Sequence, residues 1–224
     1  MPGRRETLIS GQIYHVYNKT IDSKKVFTVE NYCRLMIALL RYYRTSKLLP
    51  SFSHFQHMAD SKTKEALVEI LNTKKYHKVE VLTYCLMPNH YHLLIKQKTD
   101  GGISKYMSDV LNALTRHINT KSNRKGPLFL PRFQSKRVVS QDQLNHVSRY
   151  IHLNPYSSKL VMNKNQLINY PWSSFSKYLS ESKDNLCNTA IILSEFNDNR
   201  EEYEEFVLEN ADHQRELKYT LARQ

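Results

Sequence analysis

The chain has 224 residues, is 40% hydrophobic and carries a net charge of +12, from 33 Lys and Arg against 21 Asp and Glu. This length and composition are those of a globular protein with one domain, or one domain and a tail. No apolar run approaches the ~18 residues that span a bilayer, the N-terminus lacks the apolar core of a signal peptide, and the three cysteines are too scattered for a disulfide framework or a zinc knuckle. We therefore expect a cytoplasmic protein with no membrane partner, and the charge favours nucleic acid as the partner.

The first half of the chain predicts a strand, a helix, a looser segment and a hairpin. Residues 12–19 are rich in Tyr, Val and Ile and are typical of a strand. A helix capped by Thr28 is expected to run to about Tyr43. Residues 44–76 are interpreted as an insertion with a short helix capped by Asp60. Strands over 77–86 and 90–96 are expected to pair across the turn at 87–89.

The second half continues with helix, strand, helix and tail. Gly101 and Gly102 open a strongly amphipathic helix, and residues 129–139 are predicted to form a strand. Ser140 and Gln143 form the capping box of a helix that Pro155 is expected to end. The acidic stretch 195–216 is expected to be a solvated helix. This order predicts an α+β fold in which helices pack on an antiparallel sheet.

Two histidines on one predicted strand are a candidate metal site. His90 and His92 are two residues apart, so their side chains point to the same face, about 7 Å apart at the backbone. Imidazoles suit several transition metals, and a site that keeps open positions is typical of catalysis. The alternative is a chance pair among the ten histidines of the chain.

Tyr150 and Asn154 are the second candidate group. They lie four residues apart on one predicted helix, so they share a face that borders its apolar stripe. The amide oxygen of Asn154 could be a third metal ligand, which would place Tyr150 beside a metal-bound phosphate. A phenol with a pKa of about 10 needs such activation to be a nucleophile. The alternative is a buried tyrosine with a structural hydrogen bond.

A basic segment separates the histidine pair from Tyr150. Its side chains could follow a phosphate backbone while interleaved aromatic rings stack on bases, or they could form an ordinary solvated face. The candidate DNA-binding residues are Arg116, Lys121, Arg124, Lys125, Arg132, Lys136, Arg137 and Arg149.

Several of these segments resemble one known family, in the same chain order. LMPNHYHLLI resembles the hallmark of the HUH single-tyrosine transposases, RYIHLNP resembles their nucleophile helix, and IYHVYNKTIDSKKVF resembles their first strand and turn. GPLFLPRFQSKRVV and YPWSSFSKYL resemble segments of the REP-associated branch. The resemblance covers about residues 10–180.

The resemblance implies a ferredoxin-like (RRM-like) sheet and cleavage of single-stranded or hairpin DNA through a 5′-phosphotyrosine intermediate. It implies Mg²⁺ or Mn²⁺ held by His90 and His92, Tyr150 as nucleophile, and Asn154 at the position of the third polar ligand. The implied protein is a DNA-cutting and strand-joining transposase that is associated with the nucleoid and could form a homodimer.

The expected domain organisation is a catalytic domain over residues 1–180, with the insertion at about 44–76, and a helical tail over 181–224. Two other functions remain open: a module that binds hairpin DNA or RNA without cutting it, and a metal-dependent hydrolase that uses water. The presence of both histidines with Tyr150 and Asn154 favours the enzyme over the binding module.

Overall fold

The computed structural model describes residues 7–181 and 185–221. Positions 1–6 of the expected catalytic domain, and 182–184 and 222–224 of the expected tail, lie outside the described residues. None of the helices within the described ranges is both long and apolar enough to cross a membrane.

An antiparallel sheet of four strands lies at the centre of the described fold, in the order β2-β3-β1-β4. With a helix after β1 and another after β3, this is the ferredoxin-like arrangement that the sequence predicts. The strands are β1 (Ile13–Lys19), β2 (Val79–Met87), β3 (His90–Gln97) and β4 (Gln134–Val138).

Helices cover both faces of this sheet. Two long helices, α1 and α4, pack on one face and α5 packs on the other. The predicted insertion supplies two helices of its own, α2 and α3. In chain order the helices are α1 (Glu30–Tyr42), α2 (Phe52–Gln56), α3 (Ser61–Asn72), α4 (Gly102–Lys121), α5 (Gln141–Ser157), α6 (Lys164–Ile168), α7 (Phe175–Leu179), α8 (Ala190–Leu193), α9 (Arg200–Glu209) and α10 (Ala211–Leu221).

The alternation of side chains along each strand divides the interior into two cores. Tyr14 and Val16 of β1 join Tyr91 and Leu93 of β3 in the core under α1 and α4. The intervening positions of both strands, His15 among them, point toward α5. Near the turn between β2 and β3, the positions of β1 and β3 that face α5 are therefore polar, whereas those that face α1 and α4 are mostly apolar.

An irregularity in β2, an edge strand, changes which of its residues face each core. The pairing with β3 shifts register between Val81 and Thr83, as a β-bulge does. Beyond the bulge, Tyr84 points into the core under α1 and α4, while Cys85 and Met87 lie in the core under α5. Cys85 consequently lies opposite His92 across the strand pair.

Two predicted helix caps are confirmed. Ser140 Oγ accepts from Gln143 N at 3.1 Å, and Gln143 Oε1 accepts in return from Val139 N at 2.7 Å. Asp60 accepts from Lys62 N at 3.2 Å at the start of α3. Each cap satisfies a backbone donor that has no partner within its helix, and the cap at Ser140 defines where α5 begins.

Three local predictions are wrong. Thr28 does not cap α1, because its hydroxyl donates to the Lys25 carbonyl at 2.7 Å within a preceding 3₁₀ turn. The strand expected over 129–139 is confined to β4, since Pro131 lacks the N–H that a ladder needs. Pro155 does not end α5, which continues to Ser157, because a proline so close to the helix end removes only one helical hydrogen bond.

The expectation of a solvated helix over 195–216 is also wrong. The stretch contains all of α9 and the start of α10, and Tyr203, Val207 and Ala211 are fully buried in the core under α5. The acidic residues fill the outward positions of α9, while its apolar residues, spaced four apart, face α5. The acidic composition of the segment therefore reflects only the side of α9 that faces away from α5.

A chain of buried hydrogen bonds ties α5 to α9 and α7. His152 Nδ1 lies 2.9 Å from the Tyr203 hydroxyl, which also bonds Ser148, and His152 Nε2 lies 2.9 Å from Ser174 Oγ. Ser174 continues to the backbone of Tyr84 in β2. Complete burial of the imidazole lowers the pKa of His152 to about 3, so this histidine is neutral in the folded protein near pH 7.

Burial of His152 predicts an acid-sensitive fold. The folded protein keeps the imidazole neutral, whereas the unfolded chain binds a proton below about pH 6.5. Stability from this group is therefore present above pH 6.5 and is lost as the pH falls, by about 2 kcal/mol at pH 5. We expect the free energy of unfolding, from urea titrations at pH 7 and pH 5, to fall by about that much more in the wild type than in His152→Gln. An equal fall in the free energy of unfolding in the two proteins would contradict this prediction.

Candidate active site

The histidine pair lies at the end of β3 that adjoins its turn with β2. His90 and His92 are the first and third residues of the strand, and the pleat directs both toward α5. The turn itself is held by two backbone bonds, from Thr20 N to Asn89 O and from Phe27 N to Pro88 O, each 2.9 Å long. These two bonds tie the backbone beside the imidazoles to the segment that follows β1.

The side chain of Asn89 orients the first imidazole. Its Oδ1 lies 2.7 Å from His90 Nδ1, and an amide oxygen can only accept. His90 Nδ1 therefore carries the proton of the neutral ring, and Nε2 is the nitrogen with the lone pair.

The two rings are spaced as two ligands of one ion are. Their centroids are 5.1 Å apart and their planes are nearly perpendicular, at 85°. An ion about 2.1 Å from each ligand nitrogen, with about 100° between the two ligands, would separate the ring centres by about 5 Å. Within the described residues no group of three or more His, Cys, Asp or Glu could hold a metal. A cation here would have two imidazoles, with positions left for amide, water or phosphate oxygens.

Tyr150 lies beside the second histidine of this pair. Its ring centroid is 5.7 Å from that of His92, with the planes at 90°, and its side chain is 39% exposed. Tyr150 faces the sheet from the middle of α5, whose start is set by the Ser140 cap. The structure thus brings together a phenol and two imidazoles that are about 60 residues apart in sequence.

Asn154 lies one helical turn beyond Tyr150 and is fully buried. Its Nδ2 donates to the Tyr150 carbonyl at 2.9 Å, which directs Oδ1 away from the backbone. Burial raises the pKa of the Tyr150 phenol, and the side-chain hydrogen bond with Asn154 opposes that rise. The phenol is therefore protonated at neutral pH, and deprotonating it needs a further positive charge or a proton acceptor.

Sequence reasoning missed two aromatic neighbours of the pair, both on β1. His15 Nε2 lies 2.9 Å from His92 Nδ1, and the ring of Tyr17 lies 5.0 Å from that of His15 and 5.8 Å from that of His92. Burial, followed by the charge of Lys136, lowers the pKa of His15 to about 4. The available signal was the alternation IYHVYNK, in which both rings share a face, but only the strand register places that face beside His92.

The predicted DNA-binding residues do not form one patch. Lys136 lies on the same face of the sheet as His15, opposite it across the β1–β4 pair. Arg132 lines a groove of about 310 Å³ between α4 and residues 127–133. Arg116, Lys121 and Lys125 lie at the C-terminal end of α4, on the other side of the sheet. These five side chains are exposed.

The other three predicted DNA-binding residues are partly buried and bond within the chain. Arg124 donates to the Pro127 carbonyl at 2.6 Å, and Arg137 donates to Gln12 Oε1 at 2.8 Å. Arg149 lies 4.3 Å above the ring of Phe206 in α9. Each guanidinium thus braces a neighbouring segment and keeps its charge, so fewer cationic side chains are available for direct contact with an external partner than the sequence indicates.

Known proteins similar to this chain include a transposase family and a solved transposase structure. The family described as "Transposase IS200 like" matches residues 52–154, a range that includes both histidines, Tyr150 and Asn154. The fold is similar to that of a REP-associated tyrosine transposase solved with a REP hairpin, with a TM-score of 0.55 and 14% identity over 84% of this chain and 98% of that one. No curated protein matches the chain. Within residues 52–154, this chain is similar to the IS200-like transposases, and its fold is similar to that of the solved transposase.

Proposed function

We propose that this protein cuts and rejoins single-stranded or hairpin DNA, with Tyr150 as the nucleophile. The observation that carries the proposal is the position of the Tyr150 ring, 5.7 Å from that of His92. A phenol beside a pair of imidazoles is an arrangement suited to a metal-assisted attack on a phosphodiester. The family match and a fold neighbour that holds a REP hairpin support DNA of this kind as the substrate.

In this proposal His90 and His92 would hold a divalent ion, and Oδ1 of Asn154 would be the third protein ligand. Two imidazoles with amide, water and phosphate oxygens suit Mn²⁺, and Mg²⁺ accepts the same oxygens. When bound, the ion would polarise the scissile phosphate and favour the phenolate.

The chain's own residues set up the covalent step. Tyr150 Oη attacks the phosphorus, the Oη–P bond forms and the bond from phosphorus to the 3′ oxygen breaks. The phenolic proton leaves to solvent and the departing oxygen takes one up, which gives a 5′-phosphotyrosine and a free 3′-OH. Attack by another 3′-OH on the phosphotyrosine would rejoin strands and release the phenol. The bond from Asn154 to the Tyr150 carbonyl holds this turn of α5 in place throughout.

Contacts with the phosphate backbone are assigned to the five exposed cations, Arg116, Lys121, Lys125, Arg132 and Lys136. Lys136, which lies beside His15, is suited to contact the DNA strand that enters the site. The cations at the C-terminal end of α4 are suited to contact the flanking hairpin. Membership of the REP-associated branch, a place in the nucleoid and assembly as a homodimer belong to the same proposal.

Removal of the Tyr150 hydroxyl is the first test. Tyr150→Phe should abolish the covalent protein–DNA species while it keeps DNA binding, because only the nucleophilic oxygen is lost. The measurement is a denaturing gel after incubation with labelled hairpin DNA and Mn²⁺ or Mg²⁺. Tyr156→Phe is the matched control on the same helix, since its hydroxyl instead bonds Asp212 at 2.6 Å. Cleavage without any adduct would indicate water as the nucleophile, and binding without cleavage would indicate a binding module.

Removal of one imidazole tests the metal site. His90→Ala should lose at least 100-fold in cleavage rate in either metal, because one of two protein nitrogens is gone. The exposed His54 on α2 provides the control, and His54→Ala should cut at the wild-type rate. Equal rates for His90→Ala and the wild type would refute the site.

The difference between exposed and engaged cations predicts different salt responses. Lys121→Ala should reduce the log–log slope of DNA affinity against salt by about 0.7, the value for one phosphate contact on a single strand. Arg149→Ala should leave that slope unchanged and lower stability, because its guanidinium stacks on Phe206. Fluorescence anisotropy at several salt concentrations measures the two slopes, and urea titration measures the stability of Arg149→Ala. A smaller slope for Arg149→Ala together with an unchanged slope for Lys121→Ala would contradict the assignment.

A further inference from the structure

We propose that His15 is a positioning residue, which holds His92 in the one tautomer that can bind a metal through Nε2. This inference rests on the proposed function, since it concerns the ligand state of His92. It assigns a role to a buried histidine of the first strand that neither the family match nor the predicted site includes.

The geometry of the two rings is that of a direct hydrogen bond. His15 Nε2 and His92 Nδ1 are 2.9 Å apart and both residues are buried. In a linear N–H···N bond the ring centres would lie about 5.3 Å apart, from the bond and about 1.2 Å within each ring. The observed centroid distance is 5.1 Å. Both nitrogens therefore point at each other rather than at a common third point.

One proton lies between these nitrogens, and its position decides what His92 can do. If His92 donates from Nδ1, its Nε2 keeps a lone pair and can be a ligand. If His15 donates instead, His92 in its neutral form carries its proton on Nε2 and cannot bind a cation there. Ligation through Nε2 thus requires His15 to be the acceptor.

The first histidine of the pair has the same arrangement. Asn89 Oδ1 accepts from His90 Nδ1 at 2.7 Å, as the proposed role of His15 requires for His92. Each proposed ligand then has an acceptor at Nδ1, which fixes its ring orientation and leaves Nε2 for the ion. Outer partners of this kind typically contribute 10- to 100-fold to metal affinity.

The strand register explains why His15 can act on His92 and not on His90. Tyr17 lies directly opposite His92 and Lys19 opposite His90, so His15 is one pleat further from the turn. From that position it approaches His92 on the side away from His90. The ring of His90 meets that of His92 from the other side, at 85°.

Two substitutions at position 15 separate the effect of the hydrogen-bond acceptor from the effect of side-chain size. His15→Phe keeps a ring of similar size but removes the acceptor, whereas the Oε1 of His15→Gln can accept from His92 Nδ1. We expect His15→Phe to weaken Mn²⁺ binding 10- to 100-fold, measured by electron paramagnetic resonance of the free ion, and His15→Gln to stay within about threefold of the wild type.

A second readout needs no metal. Long-range ¹H–¹⁵N spectra of the imidazoles report which ring nitrogen carries the proton. In the metal-free wild type and in His15→Gln, His92 should be protonated at Nδ1, and in His15→Phe the Nε2-protonated form should appear. Urea titration of all three variants checks that the fold is retained.

Unchanged Mn²⁺ affinity and an unchanged His92 tautomer in His15→Phe would overturn the proposal. So would a loss in His15→Gln as large as that in His90→Ala, because His15 would then be a ligand itself. If His90→Ala binds Mn²⁺ as tightly as the wild type, the proposed metal site fails, while the metal-free spectra still decide whether His15 sets the tautomer.

Discussion

The antiparallel pairing of β1 with β3 determines the whole site. It sets Tyr17 opposite His92 and brings His15 within hydrogen-bond distance of the same ring. A shift of this register by one residue would turn the aromatic row of β1 into the opposite core and expose Tyr14 and Val16 to α5. The apolar residues under α1 and α4 therefore do more than stabilise the fold, because their burial is what keeps the polar positions of β1 and β3 aligned.

Much of the fold could be predicted because its signals are local. The alternation along the strands, the capping box at Ser140 and the turn before His90 each depend on a few neighbouring residues, and each appears in the structure where the sequence indicates. The shared face of His90 and His92 follows from strand geometry alone. The helical spacing likewise identifies which residues of α5 accompany Tyr150.

What could not be predicted depends on contacts between distant segments. Nothing in the sequence states which residue of β1 lies opposite His92, so the roles of His15 and Tyr17 depend on the observed register. The contact of Arg149 could not be predicted for the same reason, because its partner Phe206 lies on a helix much later in the chain. The acidic content of α9 concealed Tyr203, because one buried side chain per turn is enough to dock a helix whose other positions are charged.

The candidate site depends on more than the residues proposed to react, because buried hydrogen bonds link His152 of α5 to Tyr203 and Ser174. Gln214 of α10 even donates to the carbonyl of Tyr150, at 3.2 Å. A copy of this chain that stopped before Tyr203 would retain each motif of the proposed reaction but would lose the packing that supports α5. In this chain, therefore, the residues from His90 to Asn154 are not a self-sufficient unit, because the helix that carries Tyr150 packs against residues that lie about 50 positions later.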